Sequence, residues 1–110
     1  GYFYHDIAND RTHLSKGMFE LLRMDAAVDA PSMSEVFERF QKEDRNEVSD
    51  LFEQSLATGE PHSETVRLLD GSEELLPCEM SWQARRDQDG RITHLFGDLR
   101  LRNLGRTEPA

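Results

Sequence analysis

The chain has 110 residues, room for one domain built on a single core and for little more. Hydrophobic residues make up 36% and charged residues 32%, with 22 acidic against 13 basic side chains and a formal net charge of -9. That balance, with no basic run anywhere, argues against nucleic acid or an anionic membrane as partner, and the lone cysteine, Cys78, excludes an intramolecular disulfide and a cysteine-pair zinc site.

Tyr2-Phe3-Tyr4-His5-Asp6-Ile7 is aromatic and β-branched and reads as a strand, with Asn9-Asp10 as its turn and Arg11 to Leu14 as the return strand. Ser15 suits the N-cap of a helix carrying Met18, Phe19, Leu21 and Leu22 on one side. Asp29-Ala30-Pro31 breaks the chain. Ser32 and Glu35 then offer a capping box ahead of Val36, Phe37 and Phe40. The clearest helix runs from about Asp44 to Ala57, where Val48, Leu51, Phe52, Ser55 and Leu56 form one continuous stripe. Thr58-Gly59 supplies a left-handed stop, and Pro61 prevents continuation.

Beyond Pro61 the period changes from helical to two. His62 to Leu69 alternates, and Asp70-Gly71 marks a hairpin. Ser72 to Arg86 alternates again, with Leu76, Cys78, Met80 and Trp82 on one face. Asp89-Gly90 marks a second hairpin. In the last strand, Arg91 to Leu101, one face carries Leu95, Gly97, Leu99 and Leu101, the other His94, Phe96, Asp98 and Arg100. Two strands, several helices and a three-strand meander make an α+β domain: a five-stranded antiparallel sheet with helices packed on one face. The domain is expected over 1–103, with 104–110 a flexible tail or the start of a linker. Opening at Gly1 on a strand, the sequence reads as a piece of a larger protein. Without a bilayer-length apolar stretch or a secretory signal, it is expected in the cytoplasm with no direct membrane contact.

Several motifs in this order resemble the PAS family, especially members with a Gly-x-aromatic opening. Gly1-Tyr2-Phe3-Tyr4-His5-Asp6 is similar to that family's first-strand signature, Gly-x-Trp-x-Trp-Asp. Ser15 to Leu22 resembles its Ser-x-x-x-(Tyr/Phe)-Glu-Leu-Leu helix, and Glu43-Asp44-Arg45 its His-Pro-Asp-Asp-Arg segment. Thr58-Gly59-Glu60-Pro61, Arg67-Leu68-Leu69-Asp70-Gly71-Ser72, Arg86-Asp87-Gln88-Asp89-Gly90-Arg91 and Leu95-Phe96-Gly97 are similar to its later links, hairpins and last strand. Two positions depart. Leu75 stands where the family usually has Trp, and Leu101-Arg102-Asn103 where it usually has the Asp-Ile-Thr that leads to an output helix.

The resemblance implies a regulatory sensor or interaction domain of a signal-transduction protein, itself non-catalytic, whose effector is a histidine kinase, a cyclic-dinucleotide enzyme or a transcription regulator. It also implies a pocket between the inner sheet face and the helices, holding a small molecule or none. Alternation points Phe3, His5, Val66, Leu68, Cys78, Met80, Trp82, Leu95 and Leu99 into that space, faced by Phe19, Leu22, Phe40 and Phe52 from the helices. The alternative is a ligand-free dimerisation module whose core these side chains fill. Tyr2, Tyr4, His94 and Phe96 fall on the opposite face, where an aromatic patch calls for a homodimer partner or a flanking signalling helix.

No cofactor is expected. Flavin-binding members use a cysteine in a mid-domain helix, but Ser34 to Arg45 holds none, and Cys78 sits on a strand among Leu76, Met80 and Trp82 as a small core residue. Haem-binding members take a histidine from the long helix, and Asp44 to Ala57 has none. His5 points inward and suits a core hydrogen bond or a ligand contact. His13 is a candidate to lie across the first hairpin from it, and His62 and His94 are read as facing outward. No metal site, acid-base dyad, Gly-x-Ser-x-Gly elbow, phosphate-cradling loop or His-Glu-x-x-His is present.

Overall fold

The computed structural model describes residues 1–25, 30–69 and 75–102. The Asp70-Gly71 hairpin and the tail lie outside the described residues. Five strands, β1 (Tyr2–Asp6), β2 (Arg11–Leu14), β3 (His62–Leu69), β4 (Leu75–Arg86) and β5 (Ile92–Leu101), form one antiparallel sheet in the order β2-β1-β5-β4-β3. Between β2 and β3 come three helices, α1 (Lys16–Leu22), α2 (Met33–Phe37) and α3 (Lys42–Thr58). No helix among the described residues is long and apolar enough to cross a membrane.

Local chemistry sets the boundaries. The Ser15 hydroxyl accepts from Met18 N–H and starts α1, and the Ser32 hydroxyl accepts from Glu35 N–H and starts α2. The long helix starts earlier than its apolar stripe, at Lys42 after Gln41, which makes no side-chain cap bond. It ends at Gly59, in the left-handed region at φ 76, whose N–H donates to the Ser55 carbonyl. Gly90, at φ 83, turns β4 into β5, and the Asp87 carboxylate accepts from the N–H groups of Asp89 and Arg91.

The helices cover one face. Met18 and Leu22 of α1, Met33 and Val36 of α2, Phe40 ahead of α3, and Val48 and Phe52 of α3 pack on Phe3, Val66, Leu68, Cys78, Met80, Trp82, Leu95 and Leu99. Each such burial is worth roughly 1.5–3 kcal/mol against exposure. In α1 the buried pair is Met18 and Leu22, one turn apart. Phe19, expected in the core, is rotated aside and half-buried, because seven residues offer only one inward stripe.

Both sheet edges are tied off. On β2, Thr12 N–H donates to Pro31 O at 2.7 Å. On β3, Leu69 N–H donates to Arg39 O at 2.9 Å, and Arg67 O accepts from Gln41 N–H at 2.7 Å. Arg67 N–H donates to the Asp44 carboxylate at 2.8 Å. These bonds occupy backbone groups that would otherwise template further pairing.

Candidate functional site

The two faces of the sheet separate the candidate residues. On the inner face Phe3, His5, Leu22, Phe40, Val66, Cys78, Met80, Trp82 and Leu99 are all buried. Phe52 stands at their centre. Its ring meets Trp82 at 5.5 Å between centroids, Phe37 edge-on at 5.6 Å and His5 edge-on at 5.7 Å. Trp82 Nε1–H donates to the Ser55 hydroxyl at 2.8 Å, and that hydroxyl donates to Glu60 O at 2.9 Å.

His5 is bonded within this layer. Its Nδ1 lies 3.0 Å from the Thr12 hydroxyl, and Nε2 lies 3.8 Å from Asp10 Oδ1. Burial holds the ring's pKa below the ordinary histidine value, against the opposing pull of Asp10 and Asp6. His13 pairs with Tyr4 rather than His5, since the first hairpin sets His5 against Thr12. Burial pushes the Cys78 thiol up to about 11, which makes it a packing residue rather than a nucleophile.

His62 corrects an expectation. It pairs with Trp82 and shares the inward parity of Val66 and Leu68, so its ring lies against the indole at 5.9 Å between centroids rather than facing out. Its Nε2 is buried with no hydrogen-bond partner among the described residues. Among the described residues no group of His, Cys, Asp and Glu could hold a metal ion.

On the outer face the strand register gathers the aromatic set. Tyr4 pairs with Phe96, Tyr2 with Asp98 and Asp6 with His94. The Tyr4 and His94 rings stack at 4.5 Å and 18°, Phe96 lies 6.1 Å from Tyr4, and Arg85 donates to the Tyr4 hydroxyl at 2.6 Å. Tyr2 is 72% exposed. A groove of about 730 Å³ opens here, lined by Tyr2, Phe96, Gln83 and Pro61 together with Ser81 and Asp98. The Ser81 hydroxyl donates to Asp98 Oδ1 at 2.7 Å. Sequence reasoning gathered the aromatic side chains but missed Pro61, Gln83 and the Ser81–Asp98 pair. The signal was available in strand parity, which sets Gln83 against Phe96 and Ser81 against Asp98. A smaller cavity of about 250 Å³ lies between α1 and α2, beside Phe19, Met24 and Pro31.

No family model and no curated protein matches the chain. Solved structures do. The N-terminal domain of a diguanylate cyclase with PAS/PAC sensor from Marinobacter aquaeolei superposes with a TM-score of 0.78 at 16% identity, over 89% of this chain and 90% of that one. An RNA-binding light-oxygen-voltage receptor superposes at 0.80 and 24% identity, over 92% of this chain but only 28% of that longer one. The PAS-B domain of Drosophila melanogaster Cycle superposes at 0.69 and 10% identity, over 92% of this chain and 98% of that one. The chain has the PAS fold.

Proposed function

We propose that this is a regulatory, non-catalytic PAS module that works by docking the outer face of its sheet on a second copy of itself. The observation that carries this reading is the aromatic set of Tyr2, Tyr4, His94 and Phe96 on a sheet face that none of the described helices covers, beside an open groove that Tyr2 and Phe96 line. Charge supports a second copy as the occupant. The chain as a whole is at -9, yet this face sets Arg11, Arg85, Arg100 and Arg102 against Asp6, Glu79 and Asp98 and so lacks the acidic excess. Two such faces meet without the repulsion that opposes contact elsewhere. The solved neighbours, a sensor domain of a cyclase and a light-oxygen-voltage receptor among them, support a signalling role.

The inner face favours a filled core over a ligand pocket. Phe52, with Trp82, Phe37 and His5 around it, takes up the space between the sheet and α3. Input would then act by shifting the balance between two packings, and only differential affinity for the two can do so.

Sedimentation of the purified domain over a range of concentrations tests the reading, with Tyr4→Glu/Phe96→Glu as the variant. The wild type is expected to dimerise, and the variant to stay monomeric with unchanged far-UV circular dichroism. A monomeric wild type, or a variant that still dimerises, overturns self-docking; a longer chain whose flanking segment protects Tyr4 and Phe96 would assign the face to a helix instead. Excess native mass that disappears on denaturation would overturn the filled core.

A further inference from the structure

The bonds that tie off β3 all lie in its second half. Leu69 N–H, Arg67 O and Arg67 N–H are taken by Arg39, Gln41 and Asp44. Backbone groups in an extended strand alternate in direction, so the N–H and C=O groups of Ser63 and Thr65 leave the same edge, away from β4. No register shift between β3 and β4 alters that parity. Ser63 and Thr65 are both exposed, and among the described residues nothing bonds to these backbone groups. β3 is the last strand of the sheet, so this stretch is an open template for another strand.

Its side chains decide which strand. An antiparallel second copy of β3 is opposed in every register that uses these groups. Setting Ser63 against Thr65 of the other copy puts Glu64 directly opposite Glu64, in a pair without hydrogen bonds whose Cα atoms lie about 4.5 Å apart, and like charges there repel. Setting Ser63 against Ser63 brings Thr65 onto Pro61, which has no N–H to give. Setting Thr65 against Thr65 brings Ser63 onto Arg67, whose N–H and C=O are already occupied. Glu64 is half-buried and has no ion-pair partner among the described residues. A lysine or arginine opposite it supplies the missing charge, and the net charge of -9 attracts a basic segment from a distance.

We propose that the open edge of β3 takes an extended segment of a different protein by antiparallel strand addition, with a lysine or arginine of that segment opposite Glu64. The main-chain groups of Ser63 and Thr65 hold the segment, and Glu64 selects its sequence. Tyr4 and Phe96 take no part, so this edge works independently of the docking of the outer face.

The test adds acetyl-Val-Thr-Lys-Thr-Val-amide, or its counterpart with Glu in place of Lys, to the isotope-labelled domain and reads amide shifts and hydrogen exchange by nuclear magnetic resonance. Tyr4→Glu/Phe96→Glu is measured beside the wild type, so that a failure of self-docking is seen separately. The Ser63 and Thr65 amides are expected to exchange fast in the free domain, and to shift and slow when the Lys peptide is added. That peptide is expected to bind roughly fivefold more tightly than the Glu peptide, and Glu64→Lys to reverse the order. Thr65→Pro removes one donor at a solvent-facing edge position, where proline is tolerated, and should abolish the response. Should that variant fail to fold, the reversal by Glu64→Lys decides alone. Slow exchange of Ser63 and Thr65 in the free domain, equal binding of the two peptides, or an order that Glu64→Lys leaves unchanged overturns the proposal. So does a response confined to Tyr2 and Phe96, which would place the peptide in the outer groove.

Discussion

Trp82 of β4 and Ser55 of α3 are joined across the core by one hydrogen bond, indole N–H to hydroxyl oxygen, at 2.8 Å. Both side chains are buried, Ser55 completely. A serine in the inward stripe of an amphipathic helix looks like an interruption of the apolar pattern. Here it is the partner that lets a tryptophan bury its N–H, and by donating onward to Glu60 O it also fixes the exit from α3.

Ser55→Ala leaves the Trp82 N–H without its acceptor in a buried site, at a cost of about 1–3 kcal/mol. For a domain of this size the expected fall in Tm is about 4 °C per kcal/mol. Trp82→Phe removes the stranded donor, so Ser55→Ala/Trp82→Phe should cost less than the sum of the two single variants in urea denaturation. Strict additivity would mean that the bond contributes nothing.

Gly97 lies opposite Trp82 on β4 and Phe3 on β1. A Cβ there would strike the Ser81 carbonyl oxygen and come within 2.7 Å of Trp82 Cα. The obstacle is backbone, not a side chain that can swing away, so Gly97→Ala must push β4 and β5 apart. The expected loss is at or above the usual overpacking range of about 1–3 kcal/mol. Gly17→Ala in α1 is the control. Its Cβ meets only Gly1 Cα at 3.8 Å, and helix propensity should favour it by roughly 0.5–1 kcal/mol. Equal denaturation midpoints for the two variants would refute the close-approach argument.

Much of this fold was legible because period and punctuation agree. The stripe of α3, the left-handed stop at Gly59, the serine caps of α1 and α2 and the Asp89-Gly90 turn each have a local cause within a few residues. The face of each aromatic residue on β1 and β5 followed from alternation alone. What escaped depends on tertiary context. His62 and Glu64 sit at inward parity on β3, but their polarity hides the alternation that Val66 and Leu68 display. Asp44 reads from sequence as a helix-start carboxylate, whereas the structure spends it on Arg67, 23 residues away. The Ser81–Asp98 pair and the closeness of His5 to Asp10 likewise exist only once the strands are in register.

The Asp44–Arg67 pair gives the fold a signature in pH. The carboxylate accepts from Arg67 Nε at 3.2 Å, Nη2 at 3.0 Å and the backbone N–H at 2.8 Å, pinning the edge strand β3 to the first turn of α3. The Arg67 guanidinium bonded to it holds Asp44 below the ordinary aspartate value of 3.8, with burial opposing and the Arg67 amide adding to the effect. A carboxyl whose folded pKa is depressed contributes stability that is complete above 3.8 and is lost as pH falls through the folded value. Asp44→Asn keeps the shape and discards the charge. Its urea midpoint should therefore lie below the wild type's at neutral pH, with the gap closing as pH drops below 3.8. Because the Arg67 side chain is 45% exposed, added salt should narrow the same gap at neutral pH. A deficit that stays constant across pH and salt would assign the role of Asp44 to its shape and hydrogen bonds rather than its charge.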